Sequence, residues 1–282
     1  MKEYIVIGRT NGTTRNGSPY AALKVANNEE PLNISVWDMA PTTPPVVGQT
    51  VIIRSMKDNM GKKSCGILDI TPGTFPQENH PLYNIIPRPI KKDIWDSCIK
   101  TLTDYCTDEK LKEIIAIYAD KLFKPYTKAP AATTVHHAFP GGLLNHTYQM
   151  LNMLAAIYPA LPYPIKIERC ILAIIFHDYG KVFEYKDGEP TEDMYLLGHI
   201  YMSAHNLHKI LDDYGIDREE IKRIIHCILA HHGQLEYGSP VMPCTQEAAI
   251  VSYLDNISAK TDTMEGTGNM EYVHALSTHV IK

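Results

Sequence analysis

The sequence predicts an α+β protein of two domains, a small N-terminal β-barrel followed by a larger all-helical domain. Apolar residues alternate with a period of two over residues 1–70, which is typical of strands. From residue 91 to residue 282 they recur every three to four positions, which is typical of helices. Between these halves, residues 71–90 contain five prolines. Because proline fits neither helix interiors nor β-ladders, this segment is predicted to be a linker.

The composition is that of an ordinary globular protein, with 44% hydrophobic and 21% charged residues in 282. A net charge of −5 argues against a protein that coats nucleic acid with its whole surface. A local basic face is still compatible with this charge, since residues 1–70 hold eight Lys/Arg against six Asp/Glu. The six cysteines have no paired spacing, and we find no signal peptide or membrane-length apolar run. We therefore expect a cytoplasmic protein without a membrane partner.

Short alternating segments define the predicted barrel. Residues 20–25 and 32–37 each place apolar side chains on one side and polar side chains on the other. The apolar runs 51–53 and 65–68 flank the turn sequence Asp-Asn-Met-Gly at 58–61, which predicts a hairpin. Five short strands in seventy residues indicate a small closed barrel, for which the oligonucleotide-binding (OB) fold is the commonest solution.

Aromatic and basic residues on the wet side of this barrel predict a nucleic-acid-binding face. Aromatic rings stack on bases, and lysine and arginine contact the phosphate backbone. An alternative for the tryptophan is packing against the linker or the helical domain, and periodicity does not separate the two. The predicted contacts are Trp37, Lys24, Tyr20, Arg54, Lys62 and Lys63.

Histidine and aspartate residues recur in apolar helical segments of the second half. Burying such a group costs free energy unless it is paired, and a divalent metal is an efficient partner. Five histidines and two aspartates are enough for two ions with one carboxylate bridging them. Nitrogen-rich ligation suits Mn, Fe, Co, Ni or Zn better than Mg. The predicted ligands are His146, His177, Asp178, His199, His231, His232 and Asp255.

Lys181 lies one helical turn after His177, close to these predicted ligands. Two neighbouring ions can hold a phosphate and lower the pKa of a water between them. The ammonium of Lys181 would then reach a non-bridging phosphate oxygen, so Lys181 and Asp178 are predicted to be catalytic. A single histidine in this setting is more often a hydrogen-bonded core residue, but an ordered set of seven residues favours a metal site.

The ordered set resembles the HD superfamily of metal-dependent phosphohydrolases. In that family the ligands follow the order His, His-Asp, His, His-His and Asp, the His-His pair being found in the branch with two metals. The seven residues given above match this order and span about 110 positions within the helical half. The resemblance implies a helical domain that hydrolyses phosphate esters with bound metal.

A small barrel followed by an HD domain is similar to the layout of a group of bacterial 3′–5′ exoribonucleases. The segments that carry this likeness are 34–38, 136–143, 198–200, 231–240 and 255–260. The resemblance implies hydrolysis of single-stranded RNA from its 3′ end, manganese as the commonest metal, and a barrel that engages the strand. It also implies that the adjacent loop histidines His136 and His137 contact the substrate or donate a proton.

Two other functions are compatible with the sequence. The first is a phosphohydrolase of nucleotides or cyclic nucleotides, which would not shorten RNA stepwise. The second is a non-catalytic protein that binds nucleic acid or a nucleotide, although the complete ligand set and Lys181 argue against a degenerate site. The sequence leaves the oligomeric state open, including a homo-oligomer.

Overall fold

The computed structural model describes residues 2–29, 31–132, 137–186, 189–264, 270–273 and 276–281. It has the predicted α+β layout, a strand-rich N-terminal part followed by a helical part. The strands of the N-terminal part are β1 (Lys2–Thr13), β2 (Pro19–Ala26), β3 (Leu32–Trp37), β4 (Thr50–Ile53), β5 (Lys57–Asn59), β6 (Lys62–Gly66) and β7 (Ile70–Pro72).

These strands form one curled sheet in the order β5-β6-β3-β2-β1-β4-β7. All neighbouring pairs are antiparallel except β3 and β6. The prediction of five strands in a closed barrel was wrong in this respect, because the sheet has seven strands and two open edges. The chain leaves the ladder at residues 54–56, so the segment that would close the barrel is broken into β4 and β5.

The predicted hairpin at residues 58–61 joins β5 to β6. Met60 and Gly61 have φ angles of 52° and 83°, which are the positive values that a type I′ turn requires. The apolar faces of the strands pack together inside the curl, where Val6, Leu23 and Val36 are fully buried. The alternation of the sequence is therefore the alternation of core and surface in the sheet.

The proline-rich segment is packed between the two halves of the molecule. Leu82 and Ile86 are buried with Ile5 of β1 and Phe139 of the helical half. Asn145 fixes the end of the segment, because its side chain accepts a hydrogen bond from the backbone N–H of Ile90 at 3.0 Å and donates to the carbonyl of Arg88 at 2.8 Å. Residues 71–90 therefore connect the two halves through specific contacts.

The main apolar core of the helical half, within the described residues, includes the entire apolar run of residues 170–176. No helix in the described ranges has the length and hydropathy needed to cross a membrane. The helices are α1 (Lys92–Thr103), α2 (Glu109–Tyr126), α3 (Gly142–Ile157), α4 (Ile167–Phe176), α5 (Lys181–Glu184), α6 (Glu192–Leu196), α7 (His199–Asp213), α8 (Arg218–Leu229) and α9 (Gln246–Met264).

Two short antiparallel strand pairs interrupt the helical half, which the sequence predicted to be entirely helical. The first joins β8 (Tyr185–Lys186) to β9 (Glu189–Pro190), and the second joins β10 (Met270–Val273) to β11 (Thr278–Ile281). Strands of two to four residues are too short to show an alternating pattern, which explains why the sequence did not reveal them.

Candidate metal centre

The five predicted histidine ligands share one orientation, with Nδ1 tied outward and Nε2 turned inward. The Nδ1–H groups donate to oxygen atoms within the protein, which leaves each Nε2 lone pair for another partner. The acceptors are Ser258 Oγ for His146 (2.8 Å), the Ile174 carbonyl for His177 (2.8 Å), Glu184 Oε1 for His199 (3.2 Å), the Ile228 carbonyl for His231 (2.6 Å) and the Tyr237 carbonyl for His232 (2.9 Å).

His146, His177 and Asp255 form the first of two ligand clusters. His146 lies in α3, His177 follows the last residue of α4, and Asp255 lies in the middle of α9. The Nε2 atom of His146 is 3.2 Å from Nε2 of His177 and 3.1 Å from Oδ1 of Asp255. One ligand atom from each residue lies within 4.8 Å of the other two, which is close enough for the three to hold one ion.

His199, His231 and His232 form the second cluster, and their ligand atoms also lie within 4.8 Å of one another. His199 is the first residue of α7, while His231 and His232 form the turn that follows α8. Helix ends thus bring these side chains together. The apolar residues of the helices remain in the core behind them.

Asp178 lies between the two clusters and presents one oxygen to each. Its Oδ2 is 3.3 Å from Nε2 of His177, and its Oδ1 is 3.5 Å from Nε2 of His199 and 3.9 Å from Nε2 of His231. Asp178 Oδ1, His199 Nε2 and His231 Nε2 are buried without a hydrogen-bond partner among the residues described. Buried polar atoms are rarely left unpaired, so three that converge on one point fit a cation.

The electrostatics of the clusters also suit a cation. Burial lowers the pKa of His231 and His232, which keeps both rings in the neutral form that binds metal. Burial opposes ionisation of Asp178, but Lys181 and His177 outweigh it and hold its pKa well below the usual range. Burial likewise disfavours a charged His177, yet Asp178 and Asp255 raise its pKa, because their carboxylates attract positive charge to this position.

Glu184 supports His199, and the sequence gave no indication of this role. The residue is 4% exposed, and its Oε1 accepts from the backbone N–H of His199 at 2.7 Å and from Nδ1 at 3.2 Å. The approach of α7 depends on Gly180, because a Cβ at that position would lie 2.4 Å from the carbonyl oxygen of His199. A glutamate in a four-residue helix has no periodic context, so only the tertiary contact identifies it.

His137 lies behind the first cluster, next to His146. Its Nε2 is 3.2 Å from Oε1 of Gln149, and Ser258 Oγ donates to the same oxygen at 2.7 Å while holding His146. Its backbone N–H donates to Asp262 Oδ2 at 2.7 Å. The ring is buried, and its contacts include Gln149, Ser258 and Asp262, while contact with substrate stays a prediction for this residue. The other loop histidine, His136, lies outside the described residues.

Lys181 begins α5 and reaches back to the ligand between the clusters. Its Nζ lies 2.6 Å from Oδ2 of Asp178, and its side chain is mostly buried. The Lys181 ammonium therefore lies beside the clusters, and its contact with a substrate phosphate stays a prediction.

The predicted aromatic face of the sheet is present. The Tyr20 and Trp37 rings have centroids 5.4 Å apart, Trp37 is 42% exposed, and the strand register places Lys24 on the same side. The register separates the two adjacent lysines of β6, because Lys63 pairs with the core residue Ile34. Lys63 therefore does not extend this face as expected, whereas Lys62 points to its side. Arg54 is exposed in the break between β4 and β5.

Comparison with known proteins agrees with this architecture. The HD domain family model matches residues 143–260, which contain all seven predicted ligands. The 3′–5′ exoribonuclease YhaM of Bacillus subtilis is 31% identical over 280 residues, covering 94% of this chain and 86% of that protein. YhaM of Bacillus velezensis is 30% identical over 276 residues, with coverages of 93% and 85%. YhaM of Bacillus licheniformis is 30% identical over 280 residues, with the same coverages.

None of the solved structures matches the chain significantly. The predicted resemblance is confirmed, and the chain belongs to the family of HD-domain proteins that includes the 3′–5′ exoribonuclease YhaM.

Proposed function

We propose that this protein is a cytoplasmic, metal-dependent 3′–5′ exoribonuclease that acts on single-stranded RNA. The observation that carries the proposal is Asp178, which presents one carboxylate oxygen to each of two ligand clusters. This arrangement suits two divalent ions, with the first held by His146, His177 and Asp255 and the second by His199, His231 and His232. Manganese fits the nitrogen-rich ligand set, as do Fe, Co, Ni and Zn.

Bound metal would polarise the scissile phosphate and lower the pKa of the attacking water. The protein's own contribution is orientation and charge. The fixed Nδ1 contacts hold the five histidine rings with Nε2 inward before any ligand arrives. Lys181 supplies a positive charge beside Asp178, where it can stabilise the negative charge that develops on the phosphate.

The sheet would supply affinity for the strand. Trp37 and Tyr20 offer rings on which bases can stack, and Lys24 lies on the same face to meet a phosphate. Lys62 and Arg54 are exposed and extend the positive charge, while Lys63 is not part of this face. A negative total charge is compatible with this division, because only one face needs to attract RNA.

The test is hydrolysis of end-labelled single-stranded RNA with a panel of divalent metals, with the products resolved by length. The wild-type protein should shorten RNA stepwise from its 3′ end. Asp178→Ala should lose both metal occupancy and hydrolysis, because this carboxylate faces both clusters. His208→Ala, at an exposed histidine of α7, is the matched control and should behave as the wild type. Full metal occupancy in Asp178→Ala would contradict the site. If RNA stays intact while mononucleotides or cyclic nucleotides are hydrolysed rapidly, the protein is a nucleotide phosphohydrolase and RNA is not its substrate.

A further inference from the structure

A cavity of about 430 Å³ lies between α3 and α9, and its lining includes Gln149, Thr261, Asp262 and Met264. On α9, Asp262 comes seven residues after the cluster residue Asp255, so both lie on one face of the helix. Seven residues of α-helix rise about 10 Å. One face of α9 therefore carries both Asp255 of the first cluster and Asp262 of this cavity.

The cavity offers an acceptor, a donor and an apolar surface side by side. The Asp262 side chain is 20% exposed, and a carboxylate has lone pairs beyond those that contact His137 at 2.7 and 3.3 Å. The amide oxygen of Gln149 is used by His137 and Ser258, while its amide nitrogen has no hydrogen-bond partner within the described structure. Met264 is 41% exposed and presents a polarisable thioether.

We infer that this cavity binds the 3′-terminal nucleoside of the RNA, an inference that rests on the proposed function. The ribose hydroxyls donate to the Asp262 carboxylate, the Gln149 amide donates to a ribose oxygen, and the base packs against Met264. The volume is within the range of small-molecule sites, roughly 300–1,000 Å³. The phosphate at the metal centre is then the one that precedes the last nucleotide, so cleavage releases one nucleotide at a time.

With the 3′-terminal nucleoside in this cavity, the enzyme should distinguish RNA that ends in a 3′-hydroxyl from RNA that ends in a 3′-phosphate. A free 3′-hydroxyl can donate to Asp262, whereas a 3′-phosphate would bring negative charge against a carboxylate that is mostly buried. Like charges brought together at close range repel each other. The wild-type protein should therefore degrade RNA with a 3′-hydroxyl on the order of 10²-fold faster than the same RNA with a 3′-phosphate.

Two variants distinguish the contribution of the cavity to RNA hydrolysis from that of the metal centre. Asp262→Asn keeps an oxygen that can accept from the backbone N–H of His137 but removes the charge, so the preference for a 3′-hydroxyl should fall to about 10-fold or less. Thr261→Phe fills the cavity, so the ratio of RNA hydrolysis to hydrolysis of a p-nitrophenyl phosphodiester should fall about 10-fold. Thr101→Phe is the matched control, because it fills a cavity of about 410 Å³ between α1 and α3 and should change neither ratio.

The experiment measures initial rates on the two RNA ends and on the small ester for all four proteins. Equal wild-type rates on the two ends would overturn the inference, as would an unchanged preference in Asp262→Asn. If that variant does not fold, an unchanged ratio in Thr261→Phe overturns it instead. Both outcomes leave stepwise RNA hydrolysis intact. A wild-type protein that cleaves the ester but never shortens RNA would overturn the proposed function and this inference with it.

Discussion

Removing the Glu184 carboxylate should weaken metal binding at the cluster of His199, His231 and His232 and spare the other cluster. Both contacts from His199 end on the same oxygen, Oε1, at 2.7 Å from the backbone N–H and 3.2 Å from Nδ1. Glu184→Gln keeps a neutral acceptor at this place, whereas Glu184→Ala leaves two donors without one. The two variants therefore separate the effect of charge from the effect of position.

The expected magnitude follows from the role of the contact. Partners of metal-binding histidines typically contribute 10- to 100-fold in metal affinity, which corresponds to about 1.4–2.8 kcal/mol. Glu184 is buried, so water cannot readily replace its oxygen. We expect a loss of about 100-fold for Glu184→Ala and about 10-fold for Glu184→Gln at the His199 cluster.

The assay is titration of metal-free protein with Co²⁺, whose absorption reports ligand geometry. Two binding steps are expected, and only one should weaken in the variants. Glu192→Ala, at an exposed glutamate in the first turn of α6, is the control for a general loss of charge. Equal weakening of both steps, or unchanged binding in Glu184→Ala, would refute the reasoning.

Three further predictions concern the lysine, the sheet and a charge network. Lys181→Ala should keep its metal and lose on the order of 10²-fold in kcat; a parallel loss of metal would show that the lysine maintains the site instead. Trp37→Ala should lower the ratio of long-RNA to small-ester hydrolysis about 10-fold, a typical stacking contribution, whereas Leu68→Ala at another exposed apolar position should not. Burial raises the pKa of Glu220, but its pairing with Arg169 at 2.6 Å outweighs this and the net pKa lies below 4.5. The pair therefore stabilises the fold above pH 4.5 and loses its effect as the pH falls further. Glu220→Gln should cost about 2 kcal/mol in unfolding free energy near neutral pH, and this difference should shrink in acid; a constant difference would contradict the assignment.

The seven candidate ligands of the helical half could be picked out from the sequence because histidine and aspartate are unusual beside apolar helical segments. His177 and His231 end long apolar runs, so their position near the core was readable from periodicity. Glu184 and Ser258 have no such context. Their importance comes from the approach of other helices, which a linear pattern does not contain.

For the N-terminal half, the sequence predicted strands and turns correctly, but it did not predict the strand register or the breaks in the sheet. The Asp-Asn-Met-Gly sequence indicated the turn because glycine adopts a positive φ, as Gly61 does here, at no steric cost. The faces of Lys62 and Lys63 were not predictable, because β6 has five residues and its register is set by its partner β3. The break between β4 and β5 likewise depends on how the whole sheet curls.

The packed connection at residues 82–90 determines how long an RNA strand must be to reach both the sheet and the metal centre. Leu82 and Ile86 are enclosed by both halves, and Asn145 holds Arg88 and Ile90 directly before the ligand His146. These contacts hold the sheet against the helical half, and the distance from the aromatic face to the metal centre follows from them. Under the proposed function, a strand that has been shortened below this distance loses its hold on the sheet and departs. Digestion should then stall at a short residual oligonucleotide of one characteristic length.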